Sequence, residues 1–186
     1  MQAGGQGFDP PPLHSLVRTT IDASDMTITS SAPARLPEVG EAAPDFTLPS
    51  TAGGKVTLSQ FRGTRHVLLA FFPLAFTRTC TAELCAFSDD FDQFASNDVT
   101  VFPVSVDSVA SLKEFKAKHG MKVDLLSDFK REVVSAWGLL LAEYFYSKRA
   151  YVLIDKGGIV RWTFVEETTG TRRENAELLA QIASLG

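Results

Sequence analysis

From Pro37 onward the apolar positions switch between a period near two and one near 3.6, and each switch marks a change of element. Asp45 to Leu48 and Lys55 to Leu58 flank the turn Thr51-Ala52-Gly53-Gly54, which predicts an N-terminal hairpin. Val67 to Phe72 is an unbroken apolar run, the mark of a strand buried on both faces. Cys80 to about Ser96 reads as helix, with Leu84, Phe87, Phe91 and Phe94 forming one stripe. Val99 to Val106 is strand-like. Ser108 to His119 is helical, with Gly120 as its C-cap. A short strand at Leu125-Leu126 and a helix from Arg131 to Trp137, ended by Gly138, follow. Ala150 to Ile154 and Ile159 to Val165 flank Asp155-Lys156-Gly157-Gly158 as a second hairpin, and Arg173 to Leu185 closes the chain as a helix. Alternating βαβ units followed by a hairpin and a helix predict an α/β fold, a central mixed sheet with helices on both faces. No internal repeat is visible.

Composition changes this picture at one end only. Residues 1–37 carry Gly4, Gly5, Gly7, Pro10-Pro11-Pro12 and many Ser and Thr, with apolar residues too sparse to build a face. They read as a flexible N-terminal extension, leaving residues 38–186 as one domain. The extension lacks the apolar run of a secretory signal, and Asp9, Asp22 and Asp25 count against a transit peptide, so a cytoplasmic location is expected. A net charge of −4 argues against nucleic-acid and anionic-membrane partners, and no apolar stretch is long enough to span a bilayer. The two cysteines cannot form a disulfide framework, and no C-x-x-C or Cys/His cluster suggests zinc.

Those cysteines carry the candidate chemistry. The strand before them breaks at Pro73; a short loop and Thr77 follow, and Cys80 opens a helical pattern. A thiol there has three reasons to be ionised: the free N–H groups and dipole of the helix start, a hydroxyl donor in Thr77, and Arg78 in the loop. Because the thiolate is the nucleophile, Cys80 is a catalytic candidate. Cys85 lies roughly 140° round the helix, beside Ser88, Asp89 and Asp92. Two readings stay open for it, a small buried hydrophobe or a second redox-active thiol. In regular helix the two Cα atoms would stand ~8.7 Å apart, beyond the ~7 Å reach of a disulfide, so a bond between them demands unwinding.

The arrangement P-x-x-x-T-x-x-C, filled by Pro73, Thr77 and Cys80, resembles the active-site signature of the peroxiredoxins, thiol peroxidases with a thioredoxin-like fold. The resemblance runs from about Glu38 to Ala183. Val39-Gly40-Glu41-Ala42-Ala43-Pro44-Asp45-Phe46 is similar to the family's first strand. Leu125-Leu126-Ser127-Asp128 with Val133 and Trp137-Gly138 is similar to a later family segment. Glu83 matches an acidic residue after the family's reactive cysteine, and Arg149 matches the arginine that pairs with thiolate and peroxide. Proline-leucine-alanine-phenylalanine-threonine-arginine at 73–78 is closest to the alkyl hydroperoxide reductase E subgroup. The C-x-x-x-x-C spacing looks like the bacterioferritin comigratory protein subgroup, in which the second cysteine resolves the first. Residue 81 is Thr where many members have Pro or Gln, and no cysteine lies near the C-terminus.

The resemblance implies a Cys80 sulfenic acid, resolved by Cys85 and recycled by thioredoxin or a similar thiol reductant, with no metal, haem or flavin. Hydroperoxides are the implied substrates, and both monomer and homodimer remain open. Pro73 would keep the loop in place and shield the sulfur, Thr77 would point its hydroxyl at the thiolate or cap the helix, and Phe76 would line the pocket. Arg149 has a solvated strand-edge charge as its bland alternative. Glu83 is expected as a dipole-favourable carboxylate or an arginine partner, and Arg161 as support from the next strand or a surface charge. The rivals are a one-cysteine peroxiredoxin, a thiol–disulfide oxidoreductase, which should carry C-x-x-C, and a non-enzymatic thioredoxin-like binding protein.

Overall fold

The computed structural model of the chain describes residues 34–185. The reading of residues 1–33 as a flexible extension lies outside the described residues. Strands β1 (Thr47–Pro49) and β2 (Lys55–Thr57) pair antiparallel, Thr47 opposite Thr57, as the expected hairpin. Leu58, expected in the second strand, instead begins a single 3₁₀ turn to Phe61. Next come β3 (His66–Phe71), α1 (Arg78–Asp89), α2 (Phe91–Ser96) and β4 (Val99–Ser105). They lead into α3 (Val109–His119), β5 (Leu126–Ser127) and α4 (Glu132–Ala136). The chain closes with the small pair β6 (Leu140–Leu141) and β7 (Tyr146–Ser147), then β8 (Ala150–Ile154), β9 (Val160–Val165) and α5 (Asn175–Ala183).

Five strands form the central sheet in the order β5-β4-β3-β8-β9. β3 pairs parallel with β4 and antiparallel with β8, so the sheet is mixed. Strand alternation divides the interior into two layers. Val67, Leu69, Phe71, Ala150, Val152 and Ile154 face the β1–β2 hairpin and α4, where Phe46, Leu48, Val134 and Trp137 are buried. Leu68, Ala70, Phe72, Tyr151 and Leu153 face α1, α3 and α5, which contribute Leu84, Phe87, Leu112, Phe115, Leu178 and Ile182. The continuous apolar run of β3 is therefore explained by cores on both sides. Among the described residues no helix is long and apolar enough to cross a membrane.

Two further features depart from the sequence reading. The single helix expected from Cys80 to about Ser96 is two helices, because Asp90 leaves helical geometry at φ −92° and ψ 15°. The break resets the phase, so Phe91 is 38% exposed although Leu84, Phe87 and Phe94 on the same expected stripe are buried. The β6–β7 pair was not anticipated; two-residue strands are too short for a period to register.

Gly138, at φ +64°, ends α4 as expected, and a Cβ there would stand 2.9 Å from the Ala34 carbonyl oxygen. Residues 34–37, assigned by composition to the extension, thus lie against the domain, with Leu36 packed on its core. Gly138→Ala is expected to destabilise the fold by at least about 1–2 kcal/mol, the cost of left-handed backbone alone. An unchanged urea midpoint would show that residues 34–35 give way freely.

The far end of α1 is fastened to the start of α5. The Asn175 side-chain amide donates to the Ala86 carbonyl and to Asp90 Oδ2, both at 2.8 Å.

Candidate active site

β3 runs on one residue past its end, where the Phe72 N–H donates to the Val104 carbonyl at 2.9 Å. Pro73 has no N–H and stops the pairing. It is buried, and the loop it opens is held by Asp107, whose Oδ2 accepts from the Ala75 N–H at 2.8 Å and from Ser105 Oγ at 2.9 Å. Phe76 is left-handed at φ +63°, a conformation that costs a bulky residue roughly 1–3 kcal/mol. Its ring lies on Phe115 with centroids 4.8 Å apart. This turn delivers Thr77, extended, as the residue before α1. Cys80 is then the third residue of the helix, in the first turn, where N–H groups have no intrahelical partner.

The second half of the site comes from β8. Phe71 stands opposite Ala150, so Arg149 falls beside Phe72 at the end of β3 where the Pro73 loop begins. Cys80 is 1% exposed and Arg149 is 0% exposed. One guanidinium nitrogen, Nη2, donates to Cys80 Sγ at 3.2 Å and to the Thr169 carbonyl at 3.0 Å. The other, Nη1, is paired with Glu83 Oε2. Glu83 Oε1 accepts from the Tyr151 hydroxyl at 2.5 Å. Burial works against the charge on Arg149, but Glu83 and Cys80 outweigh it and its pKa stays above the ordinary value. Burial likewise pushes the Glu83 carboxyl up, against the pull of Arg149 and Tyr151. Charges this deep persist only when paired and hydrogen-bonded, and here each has a partner.

Of the residues singled out in the sequence, the structure brings Cys80, Glu83 and Arg149 into one buried cluster. Cys80, Glu83, Leu84 and Phe87 share the inward face of α1, so Glu83 is an arginine partner rather than a carboxylate at the helix entrance. Thr77 is in place, but its hydroxyl donates to the Leu74 carbonyl at 3.0 Å and not to the sulfur, nor does it cap the helix. The left-handed Phe76 turns the loop so that Leu74 and Thr77 face each other. Arg78 is exposed; the cation at the sulfur is Arg149. Phe76 is 48% exposed at the loop surface.

Arg161 is not part of the cluster. It follows the β8–β9 turn at the opposite end of β8 from Arg149 and pairs with Asp155 at 2.6 Å. Cys85 is partly buried and free, five residues along the same regular helix, which sets its Cα ~8.7 Å from that of Cys80. Burial and the nearby Asp89 raise the pKa of its thiol.

Three contributors were missed. Tyr151 carried a signal, because a tyrosine in a buried strand needs a partner for its hydroxyl. Asp107 gave only a polar break after β4. Thr169 supplies a main-chain carbonyl, on which its side chain has no bearing.

A free thiol held in the first turn of a helix, with a buried guanidinium on its sulfur, is an arrangement for nucleophilic attack. Residues 39–163 match the AhpC/TSA family. The chain belongs to that family and is a peroxiredoxin. Among its relatives, alkyl hydroperoxide reductase E of Mycobacterium tuberculosis is 35% identical over 131 residues, covering 69% of this chain and 86% of that protein. The chloroplastic peroxiredoxin Q of rice is 40% identical over 128 residues, covering 67% of this chain and 58% of that longer protein. Among solved structures, the reduced 2-Cys peroxiredoxin of Plasmodium vivax superposes with a TM-score of 0.74 at 34% identity, covering 80% of this chain and 82% of that one. This peroxiredoxin therefore has the thioredoxin-like fold and the thiol peroxidase activity that its motif implied.

Proposed function

We propose that Cys80 is the sulfur that peroxide oxidises, that Arg149 is its electrostatic partner, and that Cys85 resolves the product. The observation that carries this reading is the Arg149 Nη2 to Cys80 Sγ contact of 3.2 Å inside a site closed to bulk water. In such surroundings a fixed positive charge acts on developing negative charge with little screening. The Cys80 thiolate attacks the terminal oxygen of hydrogen peroxide or an organic hydroperoxide. An S–O bond forms as the O–O bond breaks, and the departing hydroxide or alkoxide takes up a proton to leave as water or alcohol. Cys80 is left as sulfenic acid. Arg149 and the free N–H groups of the first turn hold the oxygens, and Pro73 and Thr77 hold the loop that presents the sulfur.

The Cys85 thiol then attacks the sulfenic sulfur, a disulfide forms, and water leaves. A cytoplasmic dithiol such as thioredoxin restores both thiols and is itself oxidised. Two obstacles stand in the way while α1 is intact: the ~8.7 Å separation, and the raised pKa of Cys85, which leaves less thiolate at neutral pH than a free cysteine has. Unwinding the first turns removes both, because it brings the sulfurs together and exposes Cys85 to water.

Cys85→Ser is expected to consume the first equivalent of peroxide at near wild-type rate, then to stall under a thioredoxin system and over-oxidise to the sulfinic acid. Mass and free-thiol count after one equivalent check this. The wild type should lose both thiols and two mass units, and disulfide formation should quicken as pH rises and the exposed Cys85 thiol ionises. A wild type that gains one oxygen and keeps one titratable thiol would make Cys85 a bystander and the protein a one-cysteine peroxiredoxin.

A further inference from the structure

The Arg149 guanidinium is held by three groups, and one of them is itself held by a residue the motif does not contain. Nη1 meets Glu83, while Nη2 is shared between Cys80 Sγ and the Thr169 carbonyl. Arg149 Nε is buried with no hydrogen-bond partner among the described residues. Glu83 Oε1 has the Tyr151 hydroxyl as its donor at 2.5 Å. That same hydroxyl oxygen accepts from the Arg173 N–H at 3.0 Å.

Residues 166–173, between β9 and α5, form a strap over this corner. Its near end is fixed where the Glu166 N–H donates to the Arg149 carbonyl at 2.9 Å. Its far end is fixed where Arg173 meets Tyr151 and also pairs with Glu166 at 2.9 Å. Thr169, whose carbonyl holds Arg149, lies between the two fastenings.

We propose that Tyr151 is a positioning residue for peroxide reduction. Its hydroxyl, set between Glu83 and the Arg173 N–H, keeps Glu83 engaged through one oxygen and keeps the strap closed. Through both it holds the Arg149 guanidinium on the Cys80 sulfur. The physical reason lies in what happens without it. A buried carboxylate oxygen that loses its donor must find another. Two buried arginine nitrogens lack a partner among the described residues, Arg149 Nε and Arg172 Nη1; the first belongs to the guanidinium that Glu83 already holds, which readily takes a carboxylate in a two-pronged grip. Glu83 would then rotate Arg149 toward itself and away from sulfur, and the freed strap would withdraw the Thr169 carbonyl that opposes that rotation. Tyr151 comes to this place by strand alternation, which turns it and Leu153 toward α1 while Ala150 and Val152 face the other core.

The inference rests on the Cys80–Arg149 reading, and the test separates the two. Tyr151→Phe keeps the ring and removes only the hydroxyl. The pre-reduced protein carrying it is expected to consume hydrogen peroxide in single turnover about tenfold or more slowly, the scale of a misplaced catalytic group, with its melting midpoint little changed. Introduced into Arg149→Ala, the same substitution should change the rate by less than about twofold, because a residue acting through Arg149 has nothing left to position. Equal losses in the two backgrounds, or no loss in the wild-type background, overturn the proposal. So does a Tyr151→Phe chain that does not fold, since the hydroxyl would then serve the fold. If Arg149→Ala alone costs nothing, it is the Cys80–Arg149 reading that fails.

Discussion

Cys80→Ser is expected to leave peroxide consumption at the background rate of the buffer. The chain has one other thiol, and every local term disfavours it. Cys85 stands five residues further into α1, past the turn with unpaired N–H groups, and the guanidinium that donates to a sulfur donates to Cys80 instead. Burial and Asp89 both push its thiol up, so little of it is thiolate at neutral pH. A serine hydroxyl at position 80 has no comparable nucleophilicity toward peroxide, even with Arg149 in place. The loss should be complete in single turnover as well as under recycling, which distinguishes it from the stalled Cys85→Ser. Measured peroxide consumption above a few per cent of wild type would place the reacting sulfur elsewhere.

Arg149→Ala is expected to slow the first oxidation by about 10²-fold or more, the scale of removing one preorganised donor from an oxyanion-type site. It should also cost stability. Removing one partner of a buried ion pair leaves the other charge uncompensated, typically by about 3–5 kcal/mol, and Glu83 is fully buried. Against a total stability of about 5–15 kcal/mol this is large, so slow turnover alone could reflect unfolded protein. The double variant Arg149→Ala/Glu83→Gln separates the effects, because the neutral amide removes the stranded charge. It should recover a substantial part of the melting temperature and none of the peroxide rate. Recovery of the rate together with the fold would mean that Arg149 serves structure and not the sulfur.

The order of elements was legible because β3, β4, β8 and the long helices carry their periods over enough residues to register. The placement of the Cys80 sulfur was legible too, since Pro73, Thr77 and Cys80 are close in sequence and their spacing encodes a strand end, a turn and a helix start. The partners of that sulfur were legible only in part. Arg149 lies 69 residues beyond Cys80, and the antiparallel pairing of β3 with β8 brings them together; residue spacing alone does not reveal that register. Arg149 was named through the family resemblance; Arg78, two residues from Cys80, was read as a further cation near the thiol, but its place at the helix start turns it to solvent. Thr77 illustrates a different limit. Its position was right, while the direction of its hydroxyl depends on the left-handed Phe76, a conformation that a bulky aromatic gives no reason to expect.

The fastening of Asn175 to Ala86 and Asp90 sets a boundary for movement. Joining Cys80 to Cys85 requires only the residues before Ala86 to leave helical geometry, and the amide of Asn175 grips the first carbonyl beyond them. Phe87 and Phe94, deep in the layer shared with α3 and α5, lie on the protected side of that grip. Melting that begins at Arg78 therefore meets a stop after about two turns, releasing Leu84 but not Phe87 or Phe94 from that layer. A disulfide cycle through Cys80 and Cys85, as proposed, would use one end of the helix repeatedly while the other end remains a fixed template on which it rewinds.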